Sequence, residues 1–254
     1  MALLTDRDVV DVRDLLSYEN DLLETADRER VEIDTKIELA AAEIRTETEI
    51  EVDRILRVGL HGGSSNTRVE SIVATPSLVR WIQQRCLALF FFECFGHQRN
   101  ERFREKFAHY QKRAETAKLQ FLQRGIGVVD LPLPRASAPS IETTGGALPA
   151  GNYYFAVTWT NTRGQESDLG TPGSAVAEGG TGIRVSHPAA PAAANGWNVY
   201  AGRTPDLLYR QNTTAMALED SWLVAAPISE SLPFTGSGQV PDRYLQPQQI
   251  FLRG

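Results

Sequence analysis

The sequence holds only 2 cysteines, 2 methionines and 4 histidines, and residues 131–254 contain no lysine. So few cysteines exclude a small disulfide-stapled scaffold. Cys86 and Cys94 fall on one expected helix, eight residues apart, which is about 12 Å along the axis and too far for a disulfide. Long hydrophobic runs are missing as well. The longest, Cys86–Phe92, stops at Glu93, far short of the roughly 18 residues that span a bilayer. The opening Met1–Ala2–Leu3–Leu4–Thr5–Asp6 has neither a basic leader nor a long apolar stretch, so a cytosolic protein with no membrane partner is expected. Positive charge is in deficit: 26 Lys+Arg against 32 Asp+Glu give a net charge of −6. General affinity for nucleic acid is therefore not expected.

Catalytic signatures are absent too. There is no GxGxxG, P-loop, HExxH or GxSxG pattern, and the histidines stand apart from any serine or acidic partner at a recognisable spacing. No enzyme is expected, and no catalytic residue, metal or cofactor is assigned. Cys94-x-x-His97, with His109 nearby, has a ligand-like spacing but no second cysteine pair. It reads as a buried thiol beside a helix-terminal histidine. Gly62–Gly63–Ser64–Ser65 lacks the lysine and the preceding strand of a phosphate cradle, and reads as a hinge or a disordered loop. The acidic run Glu43, Glu47, Glu49, Glu51, Asp53 reads as a solvated helix face.

What is present is ordinary core material, 42% hydrophobic and 8% aromatic, in two unlike halves. Thr5 or Asp6 can cap a first helical segment carrying Val9, Val10, Val12, Leu15 and Leu16, before a turn at Ser17–Asp21. Asp27 is a candidate cap for a long helix. Its stripe Ile33, Ile37, Ala40, Ile44, Thr48, Val52, Ile55 repeats at fours and threes, and Gly59 would end it, followed by a loop over His61–Thr67. Thr75–Pro76 is a second start signal. It leads into an aromatic helix with Trp81, Phe90, Phe91 and Phe92, expected to be central and buried, with a break or kink at Gly96. A basic helix then runs from Asn100 to about Arg124, with Phe103, Phe107, Tyr110, Ala114, Ala117 and Phe121 on one face and Gly125 at its end.

Beyond Gly125 the composition changes. Residues 131–140, rich in proline, read as a stiff linker. Residues 141–232 read as short strands between turn signals. Tyr153–Thr160 alternates most clearly, and Gly182–Ser186, Trp197–Ala201 and Leu208–Asn212 are further candidates. Trp159, Trp197 and Trp222 are expected in that core, with stacking on a ligand as the alternative. Residues 233–254 read as an extended arm. The expected fold is thus α plus all-β in two domains: a helical bundle over 1–130, then an antiparallel immunoglobulin-like sandwich.

Charge is unevenly placed. Residues 1–60 carry 8 basic and 17 acidic side chains, and residues 61–130 carry 11 and 6. The two stretches should meet through opposite charge, within the chain or between copies.

The segment Leu78–Val129 resembles the central part of head–tail adaptor (connector) proteins of tailed bacteriophages. The resemblance rests on the aromatic helix after Thr75–Pro76, on Asn100–Glu101–Arg102–Phe103, Lys106, Tyr110 and Ala114–Ala117, and on Gly125–Ile126–Gly127–Val128–Val129. Leu15–Leu16–Ser17–Tyr18–Glu19 and the acidic helix are similar to the same small helical fold. Leu148–Pro149–Ala150–Gly151–Asn152–Tyr153–Tyr154 and Gly196–Trp197–Asn198–Val199–Tyr200 resemble immunoglobulin- or fibronectin-like modules of phage structural proteins. The resemblance implies a virion protein assembled in the host cytoplasm. It implies a homo-oligomeric ring, a dodecamer in that family, that joins the portal protein to tail or nozzle proteins while DNA passes without specific binding. Candidate subunit or portal contacts are Glu43, Glu47, Glu51, Arg99, Arg102, Arg104, Arg243, Tyr244, Ile250 and Phe251. The alternative is a tail, baseplate or capsid-decorating protein whose sandwich binds a host glycan or a virion partner.

Overall fold

A computed structural model describes residues 1–6, 9–58, 68–224, 227–230 and 238–246. Gly59, the loop His61–Thr67, Ile250 and Phe251 lie outside the described residues. Among the described residues, five α-helices lie in the N-terminal half and antiparallel sheets follow them. The chain divides into two compact units, and both termini cross over: one unit is Met1–Asp6 with Leu131–Val240, the other Arg7–Asp130 with Pro241–Gly254. The division after Asp130 falls at the expected boundary, but Met1–Asp6 group with the second half and Pro241–Gly254 with the first, so the terminal segment is not set apart as an arm.

In the helical unit, α1 (Val12–Leu16) starts at Asp11. The Asp11 side chain accepts from the Asp14 N–H, and Asp14 returns the bond, a reciprocal cap. Thr5 and Asp6 therefore do not cap it. The second helix, α2 (Leu22–Glu29), runs through Asp27 and ends where Arg30 turns left-handed at φ 56°. Asp27 is thus inside a helix, and the long helix α3 (Ile33–Val58) starts later. The α3 stripe is as expected, with Ile33, Ala40, Ile44, Thr48 and Val52 buried. Thr48 is tolerated there because its hydroxyl donates to the Ile44 carbonyl, 2.7 Å.

The fourth helix, α4 (Pro76–Gln98), begins after Thr75 with proline at its first position. It continues past Gly96, where the expected break does not occur. The last, α5 (Glu101–Arg124), is capped by Asn100, whose side chain accepts from the Arg102 N–H. Gly125, at φ 93°, ends it in a conformation that favours glycine. The helices α4 and α5 run antiparallel, since Phe91 stacks on Tyr110 (5.7 Å, 11°) and Trp81 meets Phe121 (5.8 Å). Phe92, expected in the core, is 57% exposed, with its ring 5.2 Å from that of Phe107. After α5, β1 (Ile126–Val128) forms a small antiparallel sheet. The 71–73 segment bonds to one edge and the C-terminal strand to the other.

The second unit contains two sheets. One, of order β2-β5-β8, pairs β2 (Ser140–Leu148), β5 (Thr181–Ser186) and β8 (Trp222–Val224). The other, of order β4-β3-β6-β7, holds β4 (Gly173–Ala177), β3 (Gly151–Thr160), β6 (Gly196–Thr204) and β7 (Leu207–Arg210). Side chains from both sheets form one core: Leu148, Ile183 and Val185 from the first, and Phe155, Trp159, Trp197 and Val199 from the second. Trp222 is partly buried against it. Residues 131–139 are not a free linker, because Leu133 and Ala136 are buried in that same core.

The N-terminal residues lock into this unit. Leu3 and Leu4 are buried, and the Asp6 carboxylate accepts from the Leu3 N–H (2.7 Å) and the Arg135 N–H (2.8 Å). Burial pushes the Asp6 carboxyl above its ordinary 3.8 and outweighs the lowering by those hydrogen bonds and by the Arg135 guanidinium. A carboxyl raised on folding stabilises fully below its unfolded value, and that contribution is lost as pH rises through its folded value. In an NMR titration the Asp6 carboxyl carbon should accordingly turn over above pH 3.8. A midpoint at or below that value contradicts the burial argument.

The last described strand, β9 (Arg243–Leu245), pairs antiparallel with β1, Ile126 facing Leu245 and Val128 facing Arg243. Just before it, Gln239 is 1% exposed. Its side chain accepts from the Leu133 N–H (2.6 Å) and donates to the Leu131 carbonyl (2.8 Å). The described part of the arm, residues 238–246, is therefore built into both units.

Candidate interaction surface

The acidic and basic stretches meet inside the helical unit. Glu43 on α3 holds Arg85 on α4 at 2.7 Å, and Arg85 also donates to Gln111 of α5 at 2.8 Å. Glu47 pairs with Lys118, Lys36 with Glu93, and Glu19 with Lys106. Tyr110 donates to the other Glu19 oxygen at 2.7 Å, and burial with that carboxylate drives its hydroxyl above the ordinary range. Such half-exposed pairs contribute roughly 0–1 kcal/mol each. Their larger role is to fix which helix faces which.

The ten candidate contact residues consequently divide. Glu43 and Glu47 are paired across helices, and Glu51 is held by Arg54 one turn on at 2.8 Å. Arg102 reaches Asp21 at 3.4 Å and Arg104 pairs with Glu101, while Arg99 is the exposed left-handed residue that ends α4. Arg243 pairs with Asp130, and Tyr244 is 53% exposed beside it on β9. Glu43 and Glu47, one turn apart on α3, reach α4 and α5 respectively.

What sequence reasoning missed is an apolar stripe on the solvent side of α3. Leu39 (43% exposed) and Ile50 (61% exposed) are eleven residues apart, about three turns, so they point within about 20° of one another. Ala42 and Thr46 lie exposed between them. The Thr46 hydroxyl is turned back onto the Ala42 carbonyl at 3.1 Å. The stripe is flanked by exposed acids, Glu38, Glu49 and Asp53. On α5, Leu119 is 61% exposed, with exposed Lys112 two turns away on the same side. The spacing 39, 42, 46, 50 was legible as a second helical stripe, but the longer core stripe beside it dominates the pattern.

Neither cysteine offers chemistry. Both are buried free thiols, and burial pushes each up to about 12, where thiolate reactivity is lost at neutral pH. The His97 ring lies 3.0 Å from the Glu29 carbonyl. No group of three His, Cys, Asp or Glu side chains that could hold a metal occurs among the described residues.

No protein-family model matches the sequence. No curated protein matches it at a significant level.

Proposed function

We propose that this chain is a structural virion protein, a head–tail adaptor of a tailed bacteriophage that assembles as a ring between portal and tail. The observation that carries the reading is the pair of unpartnered helix faces in the helical unit, added to the sequence resemblance across Leu78–Val129. The α3 face is apolar with acidic flanks, and the α5 face presents Leu119 with Lys112. Two different faces that complement each other make a head-to-tail contact, and such a contact closes into a ring when the rotation permits. The occupant of the α3 stripe is thus the α5 face of a second copy. The ion pairs inside the unit hold α3 and α5 in register, so both faces are set before assembly.

In this reading the β unit is a two-layer sandwich of immunoglobulin-like type and a domain in its own right, carried by the ring. The single core drawn from a three-stranded and a four-stranded antiparallel sheet supports that assignment. The net charge of −6 disfavours lasting contact with DNA phosphates, which suits a channel that DNA traverses without specific binding.

Ile50→Glu and Leu119→Glu are the tests, because both positions are exposed and each charge can be accommodated in the isolated chain. Each variant should melt like the parent yet fail to form the ring on the virion's portal protein, as read by sedimentation. Full ring formation by both variants contradicts the α3–α5 contact.

A further inference from the structure

On the β unit, the sheet face turned away from the main core carries a polar row. The register places Thr158 of β3 beside Asn198 of β6, and Tyr200 beside Arg210 of β7. Thr158 and Asn198 are fully buried, yet neither is idle. One Glu166 oxygen, Oε1, accepts from the Thr158 hydroxyl, from Asn198 Nδ2 (2.8 Å) and from the Tyr200 hydroxyl (2.8 Å). The Asn198 carbonyl oxygen accepts from Arg210 Nη2 (2.7 Å) and Asn212 Nδ2 (2.9 Å). A carboxylate and a guanidinium are thus held apart by one buried amide, each fixed in place.

This row borders a cleft of about 420 Å³, within the roughly 300–1,000 Å³ of small-molecule sites. Its lining includes Thr160, Glu166, Asn195, Gly196 and Arg210. A Cβ at Gly196 would sit 2.8 Å from the Met216 carbonyl and 2.9 Å from the Thr160 hydroxyl, so a side chain there would crowd the cleft. Glu166 Oε2, the Thr160 hydroxyl and the Asn195 side-chain amide make no hydrogen bond to any described residue. They supply an acceptor, a group that can donate or accept, and an amide that does both.

We propose that this cleft binds a neutral polyhydroxylated ligand, a saccharide unit. Hydroxyl groups both donate and accept, which matches the mixed set of open groups. An anion would meet the Glu166 carboxylate, and a metal ion would find a single carboxylate with one oxygen already saturated. The buried Thr158–Asn198 row holds Glu166 and Arg210 before any ligand arrives, so little ordering cost falls on binding. The proposal is independent of ring assembly, because every residue in it belongs to the β unit.

Saturation-transfer NMR on the full chain tests it, with glucose, galactose, mannose, rhamnose and N-acetylglucosamine as probes. Transfer to the ring protons of at least one of these sugars is expected. Ala215→Trp, at an exposed position on the cleft wall, should abolish the transfer while leaving the melting curve unchanged. Glu166→Gln should weaken binding on the order of tenfold, the loss of one charge-assisted hydrogen bond. No transfer from any of the five sugars overturns the proposal. Transfer that persists unchanged in Ala215→Trp overturns the site.

Discussion

Phe91→Ala should destabilise the helical unit by about 3–5 kcal/mol, the range for a large aromatic removed from a packed core. Phe91 is 1% exposed. It stacks on Tyr110 at 5.7 Å, packs beside Phe103 at 6.2 Å, and meets Phe90 edge-on at 5.1 Å. The Lys106 ammonium lies 4.8 Å over its ring, and the same lysine pairs with Glu19. Truncation would therefore open a cavity where α4 and α5 meet and remove the surface on which Lys106 rests. Phe92→Ala, one residue on, removes a ring that is 57% exposed and lies against Phe107. It should cost about 1 kcal/mol or less. Denaturant unfolding followed by far-ultraviolet circular dichroism separates the two. Equal losses for the two variants would mean that the α4–α5 packing is wrong.

Deletion of residues 233–254 should lower the stability of both units together. It removes Gln239, which leaves the Leu133 N–H and the Leu131 carbonyl without that side chain. An unpaired buried backbone group costs roughly 1–3 kcal/mol. It also removes β9, whose pairing covers β1, where Ile126 and Val128 are fully buried. Hydrogen exchange is the measurement. Faster exchange is expected both at Leu133 in the β unit and at Ile126–Val128 in the helical unit. Unchanged protection at both sites would restore the reading of this segment as a separable arm.

These two cases show what could be read from the sequence and what could not. The run Phe90–Phe91–Phe92 has apolar residues all round the helix, so periodicity could not tell Phe92 from its neighbours; only the position of α5 decides it. The start at Thr75–Pro76, the α3 stripe and the alternation of Tyr153–Thr160 were legible because each is local. Asp6, Leu133 and Gln239 were not, since their partners are distant in sequence: Asp6 binds the Arg135 N–H, and Gln239 binds across more than a hundred residues. Gly96 misled because glycine lowers helix propensity by only about 1 kcal/mol relative to alanine, too little to end a helix of 23 residues. The strand β2, Ser140–Leu148, was missed because Gly145–Gly146 and the run Glu142–Thr143–Thr144 carry no apolar alternation.

The surface features were the least legible. Opposite charge on the first two parts of the chain pointed to contacts within the chain or between copies. The structure places Glu43–Arg85 and Glu47–Lys118 within it. The stripe Leu39–Ala42–Thr46–Ile50 and the Glu166 row became visible only once the buried faces were known.

Ring assembly is the central claim, and electron microscopy of the purified chain mixed with the portal protein of the same virion tests it most directly. A closed ring of copies seated on the portal, with α3 of each copy against α5 of the next, is the result expected. A chain that stays unbound, or that forms a free trimer, would contradict the adaptor reading.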